Sequence, residues 1–93
     1  MPVYVLTGAN RGLGLEFVRQ LSADGSNTVI GAVRSMSNDL TDLKSLNKNN
    51  NIHILECDTG EASSITSFVE SCGKTLEGRK IDYLLNNSGI NAV

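Results

Sequence analysis

A chain of 93 residues suits one small domain and buries only roughly 60 to 65% of its unfolded surface, so its core is modest. With 40% hydrophobic residues, 19% charged residues and a single Pro, it is neither disordered nor fibrous in composition. The net charge is −2 and no basic cluster tracks along the chain, which argues against nucleic acid as a partner.

The first run, Val3-Tyr4-Val5-Leu6, is continuous, apolar and rich in β-branched residues, and it stops at Thr7-Gly8. That pattern fits a strand buried on both faces, as in a parallel sheet. It is much shorter than a signal-peptide core and lacks a basic lead-in, and no run approaches membrane-spanning length. No membrane partner is expected, and the expected location is cytoplasmic. From Leu13 the positions Leu13, Phe17, Val18 and Leu21 recur at helical spacing, with Arg19, Gln20 and Asp24 opposite and Gly25 as a plausible stop. Thr28 to Val33 reads as a second buried strand. Leu40, Leu43 and Leu46 predict a short amphipathic helix opened by Ser37 or Asn38, and the polar stretch Asn47 to Asn51 predicts a loop.

Ile52 to Cys57 is a third strand, in which His53 reads as a surface or packing residue. Ile65, Phe68, Val69, Cys72 and Leu76 lay one apolar stripe along a third helix. Cys57 and Cys72 are too few and too far apart for a disulfide framework or a zinc site, and they read as reduced core thiols. Ile81 to Leu85 forms a fourth strand that closes on Asn86-Asn87-Ser88-Gly89. Tyr4 and Tyr83 fall in strands and read as packing residues.

The order β-α-β-α-β-α-β, with apolar strands, predicts an α/β fold: a partial, Rossmann-type doubly wound parallel sheet in one domain over residues 1–93. Right-handed crossovers give the strand order 3-2-1-4, with the chain reversing direction across the sheet between strands one and four. Ligands in such sheets sit at the carboxyl ends of the strands flanking that point. The stretches Gly8 to Gly14 and Asn86 to Gly89 follow those two strands and should face each other across one crevice.

Gly8, Gly12 and Gly14 stand between the first strand and the first helix. Gly8 can make the sharp exit from the strand, Gly12 can let a pyrophosphate approach the backbone, and Gly14 can let the helix pack closely on the sheet. The helix amino end supplies unpaired N–H groups and partial positive charge, which suit a diphosphate. No Lys-Ser or Lys-Thr follows the last glycine, which excludes a Walker phosphate loop. A tight turn without a ligand and a methyl-donor-binding domain remain alternatives. The residue about twenty past such glycines reads the adenosine ribose, an acid selecting the 2′-hydroxyl and a base a 2′-phosphate. Nineteen residues past Gly14 stands Val33, not an acid, and Arg34 follows it. Arg34 and Arg11 together suit a phosphate dianion and favour NADP(H) over NAD(H).

"TGANRGLG" (Thr7 to Gly14), Asp58 after the third strand and "NNSG" (Asn86 to Gly89) after the fourth resemble the amino-terminal half of the short-chain dehydrogenase/reductase family, in its order and spacing. The likeness spans essentially the whole chain. It is nearest in character to the carbonyl-reductase-like and fungal branches that use NADPH. The resemblance implies that Asn10, Arg11, Gly12, Leu13 and Gly14 wrap the pyrophosphate and adenosine phosphate, with Gly8 shaping the turn. It implies that Arg34 holds the 2′-phosphate and that Asp58 and Thr59 meet the adenine. It places Asn87, Ser88 and Gly89 on the ribose and nicotinamide side, while Asn86 ties the fourth strand into the sheet. Ser88 stands where the family usually has Ala. On the residues alone, Asp58 has a second reading as a helix cap, and Asn86-Asn87 one as a simple turn.

The family's proton-transfer pair, Tyr-x-x-x-Lys, is absent: Gly8 and Asn87 stand four positions after Tyr4 and Tyr83. Without a positioned acid or base, no catalytic residue is assigned and the 93 residues are expected to be inactive alone. The leading expectation is the NADP(H)-binding portion of a reductase that passes hydride between NADPH and a carbonyl or alcohol, cut short after the fourth strand. The rival is a non-catalytic dinucleotide-binding or interaction module. The fourth strand would be an edge bearing Ile81, Leu84 and Leu85, which invites a partner strand and makes the isolated chain marginal.

Overall fold

The computed structural model describes residues 2–10, 12–37, 39–58 and 60–87. Seven elements follow one another: β1 (Val3–Thr7), α1 (Gly12–Ser22), β2 (Thr28–Val33), α2 (Thr41–Ser45), β3 (Ile52–Glu56), α3 (Ala62–Leu76) and β4 (Tyr83–Leu85). The four strands form one parallel sheet in the order β3-β2-β1-β4. This is the doubly wound Rossmann-type arrangement that the alternating apolar segments predict.

The central strands are buried throughout because each lies between neighbours and under helices on both faces. All six residues of β2 are buried, and all of β1 except Tyr4. Side chains alternate, so Leu6, Val29, Val33 and Ile52 face one way and meet Val18 of α1 and Leu43 of α2. Val3, Val5 and Ile30 face the other way and meet Cys72 and Leu76 of α3. Both cysteines are free and buried, and desolvation pushes both thiols above their ordinary pKa.

The two faces are covered unequally. Two helices close the first face. On the second, α3 buries Cys72 and Leu76 and half-buries Phe68, while Ile65 and Val69 of the same predicted stripe are exposed at 40% and 63%. Leu84 pairs in register with Val5 and so shares the α3 face, where it is 64% exposed. At the edge, Tyr83 stacks on Tyr4 with ring centroids 4.8 Å apart. Tyr4 packs on the core while Tyr83 remains 55% exposed, so only one of the two tyrosines is a packing residue in full. Along α1, Leu13 and Phe17 are exposed, and Gly14, Val18 and Ser22 form the buried face.

Four boundaries differ from the sequence expectation. The first helix ends at Ser22, before Gly25, in a turn held by Asp24, whose Oδ1 accepts both Ser26 N–H and Ser26 Oγ–H. Gly25 is not among the described glycines with positive φ, so it is no left-handed stop. The short helix opens at Thr41, whose N–H donates to Asp39 Oδ1, and not at Ser37; Asn38 lies outside the described residues. Ile81 and Asp82 precede β4 and do not belong to it, and Cys57 follows β3. No helix among the described residues is long and apolar enough to cross a membrane.

At the amino ends of the strands, side-chain amides close on backbone carbonyls. Asn51 Nδ2 donates toward the carbonyls of Ser22, Asp24 and Asn27 at 3.1, 3.2 and 2.9 Å. Asn49 Nδ2 reaches Ser22 O, Asn27 Nδ2 reaches Leu21 O, and Asn47 Oδ1 accepts Ile52 N–H. The bonds to Leu21 O and Ser22 O serve two of the carbonyls that the end of α1 leaves without helical partners. Asp82 Oδ2 takes Val3 N–H at 2.7 Å, and Arg79 Nη1 donates to Thr28 Oγ1 at 3.1 Å.

Candidate functional site

The carboxyl ends of the four strands form the other edge of the sheet, and those sequence-predicted residues that the structure describes lie there. β1 leaves the sheet through Gly8 (φ 61), and α1 opens at Gly12 (φ 59). Both angles lie in the left-handed region that a Cβ disfavours. Ala9 N–H donates to Ala32 O at 3.2 Å, which holds the turn against the end of β2. Gly31 in β2 makes room for that contact, since a Cβ there would stand 3.1 Å from Ala9 Cβ.

Gly12 and Gly14 have different duties. A Cβ on Gly14 would stand 2.0 Å from the carbonyl oxygen of Gly8 and 2.7 Å from Asn87 Nδ2, so helix and strand approach so closely that no other residue fits. A Cβ on Gly12 would meet nothing within 4 Å. The amino end of α1 therefore presents helix-end N–H groups beside space that no described side chain fills, and its first turn holds no acidic residue. Open space, helix-end donors and the lack of a competing carboxylate fit an anionic ligand such as a diphosphate. Asn10 is half-buried in the turn and Leu13 is exposed on it.

The turn is fastened to the end of β4. Thr7 Oγ1 donates to Asn86 Oδ1 at 3.1 Å and accepts Asn87 N–H at 2.8 Å. Asn87 Nδ2 in turn donates to Gly8 O at 3.3 Å. The two motifs thus lie side by side at the point where strand order reverses. Asn86 joins β4 to β1 through this hydroxyl, and the Asn87 amide braces the glycine turn. Thr7 was not singled out in the sequence, although a hydroxyl residue at the last position of an apolar strand, just before a turn glycine, is the available signal.

Further along the same edge, Arg34 follows β2 and Asp58 follows β3. Arg34 Nε lies 3.8 Å from Asp58 Oδ1, with the arginine side chain 82% and the aspartate side chain 28% exposed. Asp58 Oδ1 also accepts Gly60 N–H at 3.0 Å, and Asp58 N–H donates to Ser64 Oγ. Asp58 is therefore not the cap of α3: Glu61 occupies that position, without a side-chain cap bond. Glu56, Asp58 and Glu61, with four serines of α3, line an open depression of about 400 Å³ beside Arg34. Neither the pairing nor the depression was foreseen. Arg11, Thr59, Ser88 and Gly89, also expected at the site, lie outside the described residues. Among the described residues, no group of three or more His, Cys, Asp or Glu could hold a metal ion.

A parallel sheet in this order, with a glycine turn and a second motif meeting at its switch point, defines a Rossmann-type α/β protein. A family model described as short chain dehydrogenase matches residues 2–93, and the chain belongs to that family. Short chain dehydrogenase virK from Hypocrea virens is 44% identical over 89 residues, covering 95% of this chain and 32% of the relative. The (+)-neomenthol dehydrogenase of Arabidopsis thaliana is 36% identical over 94 residues, covering 96% and 31%. Among solved structures, the NADPH-bound carbonyl reductase from chicken fatty liver superposes with a TM-score of 0.86 at 31% identity, over 97% of this chain and 35% of that one. The chain thus spans about a third of the length of the relatives it matches.

Proposed function

We propose that the chain binds a nicotinamide dinucleotide, NADP(H) in preference to NAD(H), as the cofactor-binding portion of a reductase working between a carbonyl and an alcohol. The observation that carries this reading is the open space over Gly12 at the amino end of α1, on the same sheet edge as Arg34. The diphosphate would lie against the α1 amino end, the 2′-phosphate toward Arg34, the adenine near Asp58, and the ribose and nicotinamide toward Asn87. Gly8, Asn10 and Leu13 shape the turn, and Arg11, Thr59, Ser88 and Gly89 complete the set that the family likeness implies. The NADPH-bound state of the chicken carbonyl reductase supports the cofactor class. When bound, the cofactor supplies hydride. The sequence contains no Tyr-x-x-x-Lys to move a proton, so these residues bind and orient without turning substrate over.

A second reading rests on the β4 edge, where Tyr83 and Leu84 are exposed on a strand that, among the described residues, pairs on one side only: a non-catalytic module that joins another strand there. The test is a fluorescence titration of the chain with NADPH, NADH and S-adenosylmethionine, repeated on Gly12→Val. Saturable NADPH binding that weakens at least about tenfold in Gly12→Val is expected, because the new side chain fills the space a diphosphate needs. Binding of S-adenosylmethionine alone, or NADPH binding indifferent to Gly12→Val, would overturn the assignment.

A further inference from the structure

We infer that Asp58 narrows this chain's preference for a 2′-phosphate, so that NAD(H) is disfavoured less than Arg34 alone would make it. The inference rests on the cofactor reading above and concerns its specificity. Arg34 is the described cation at the end of β2, and its Nε already lies 3.8 Å from a carboxylate oxygen. That carboxylate is not free to withdraw. Gly60 N–H holds Asp58 Oδ1 at 3.0 Å, and the Ser64 hydroxyl holds its backbone at 2.8 Å. Asp58 is thus fixed to the β3–α3 turn, while Arg34, 82% exposed, is the mobile member of the pair.

Two opposing effects follow from one contact. By holding Nε, Asp58 could orient the two terminal nitrogens of Arg34 toward a phosphate. An exposed pair at this distance fixes an arginine only loosely, so orientation is the smaller effect. Against it, any phosphate oxygen that Arg34 grips comes within roughly 7 Å of the Asp58 carboxylate, since the guanidinium is the only spacer. The phosphate carries nearly two negative charges, and Glu56 and Glu61 line the same depression with Asp58. Repulsion of a dianion at that range outweighs the loose orientation. It falls on the 2′-phosphate alone, because NAD(H) has a hydroxyl there.

The experiment measures Kd for NADP⁺ and NAD⁺, and for the fragments adenosine 2′,5′-bisphosphate and AMP, in the wild-type chain and in Asp58→Asn, Glu56→Gln and Arg34→Ala. Ratios within a pair cancel any change in adenine or diphosphate binding. Asn retains the oxygen that accepts Gly60 N–H, and circular dichroism confirms the fold. The expected result is a rise of about threefold in NADP⁺ over NAD⁺ preference for Asp58→Asn near 0.15 M salt, growing at lower salt. Glu56→Gln should move the ratio the same way by less. If Arg34→Ala lowers the ratio while Asp58→Asn leaves or lowers it, the inference fails and the cofactor reading stands. If no dinucleotide binds, or Arg34→Ala leaves the ratio unchanged, the cofactor reading fails and takes the inference with it.

Discussion

At the amino ends of the strands, four asparagines, an aspartate and an arginine spend their side chains on backbone carbonyls, amides and a hydroxyl. At the carboxyl ends of the same strands, glycines replace side chains, backbone bends through positive φ, and space stays open over α1. One edge is closed by polar groups that find protein partners, and the other withholds side chains where a ligand could approach. The contrast separates two demands on one small sheet: satisfying helix-end carbonyls needs donors brought in from loops, whereas receiving an anion needs donors left uncovered.

The largest effect is expected where the second edge is most crowded. Gly14→Ala places a methyl 2.0 Å from Gly8 O, backbone that cannot yield, and should cost about 3 kcal/mol or more together with dinucleotide binding. Urea unfolding followed by circular dichroism measures the first and NADPH titration the second; a stable, binding-competent variant would break the account of this turn. Asn51→Ala sharpens the comparison from the other end. It removes the donor serving three carbonyls and should cost about 2 kcal/mol, with NADPH affinity of the folded fraction unchanged. A fall in affinity without a fall in stability would show that the two edges are not independent. Thr7→Val, which keeps the shape and removes the hydroxyl, should cost about 1 to 2 kcal/mol and weaken binding several-fold, whereas Thr7→Ser should restore most of both. An unaltered Thr7→Val would mean that the β1–β4 joint is incidental.

The strand order was legible because four apolar runs alternate with amphipathic stretches, and right-handed crossovers leave few ways to arrange them. The glycine turn was legible because positive φ and close packing both demand glycine, and Gly8 and Gly14 show one of each. The helix faces were less so. Ile65 and Val69 carry the same periodic signal as Cys72 and Leu76, and periodicity cannot say how far along a helix the covering extends. The asparagine cluster escaped notice because Asn47 to Asn51 has the composition of an ordinary polar loop, and only the folded chain shows which carbonyls its amides meet. The sequence shows in Arg34 a cation at a strand end but not its partner, which lies 24 residues on with no local pattern to link them.

The Thr7 hydroxyl joins two segments 79 and 80 residues apart in the chain. On a ribosome, β1 and its glycine turn emerge first, yet the groups that fasten that turn, Asn86 and Asn87, are the last described residues to appear. Until they emerge the turn has the Ala9–Ala32 bond to β2 but not its brace to β4, a closing contact among the most non-local in the sheet. During that interval the nascent chain has its β1–β2–β3 core to build on, and the β1–β4 joint of the ligand-facing edge is assembled after it.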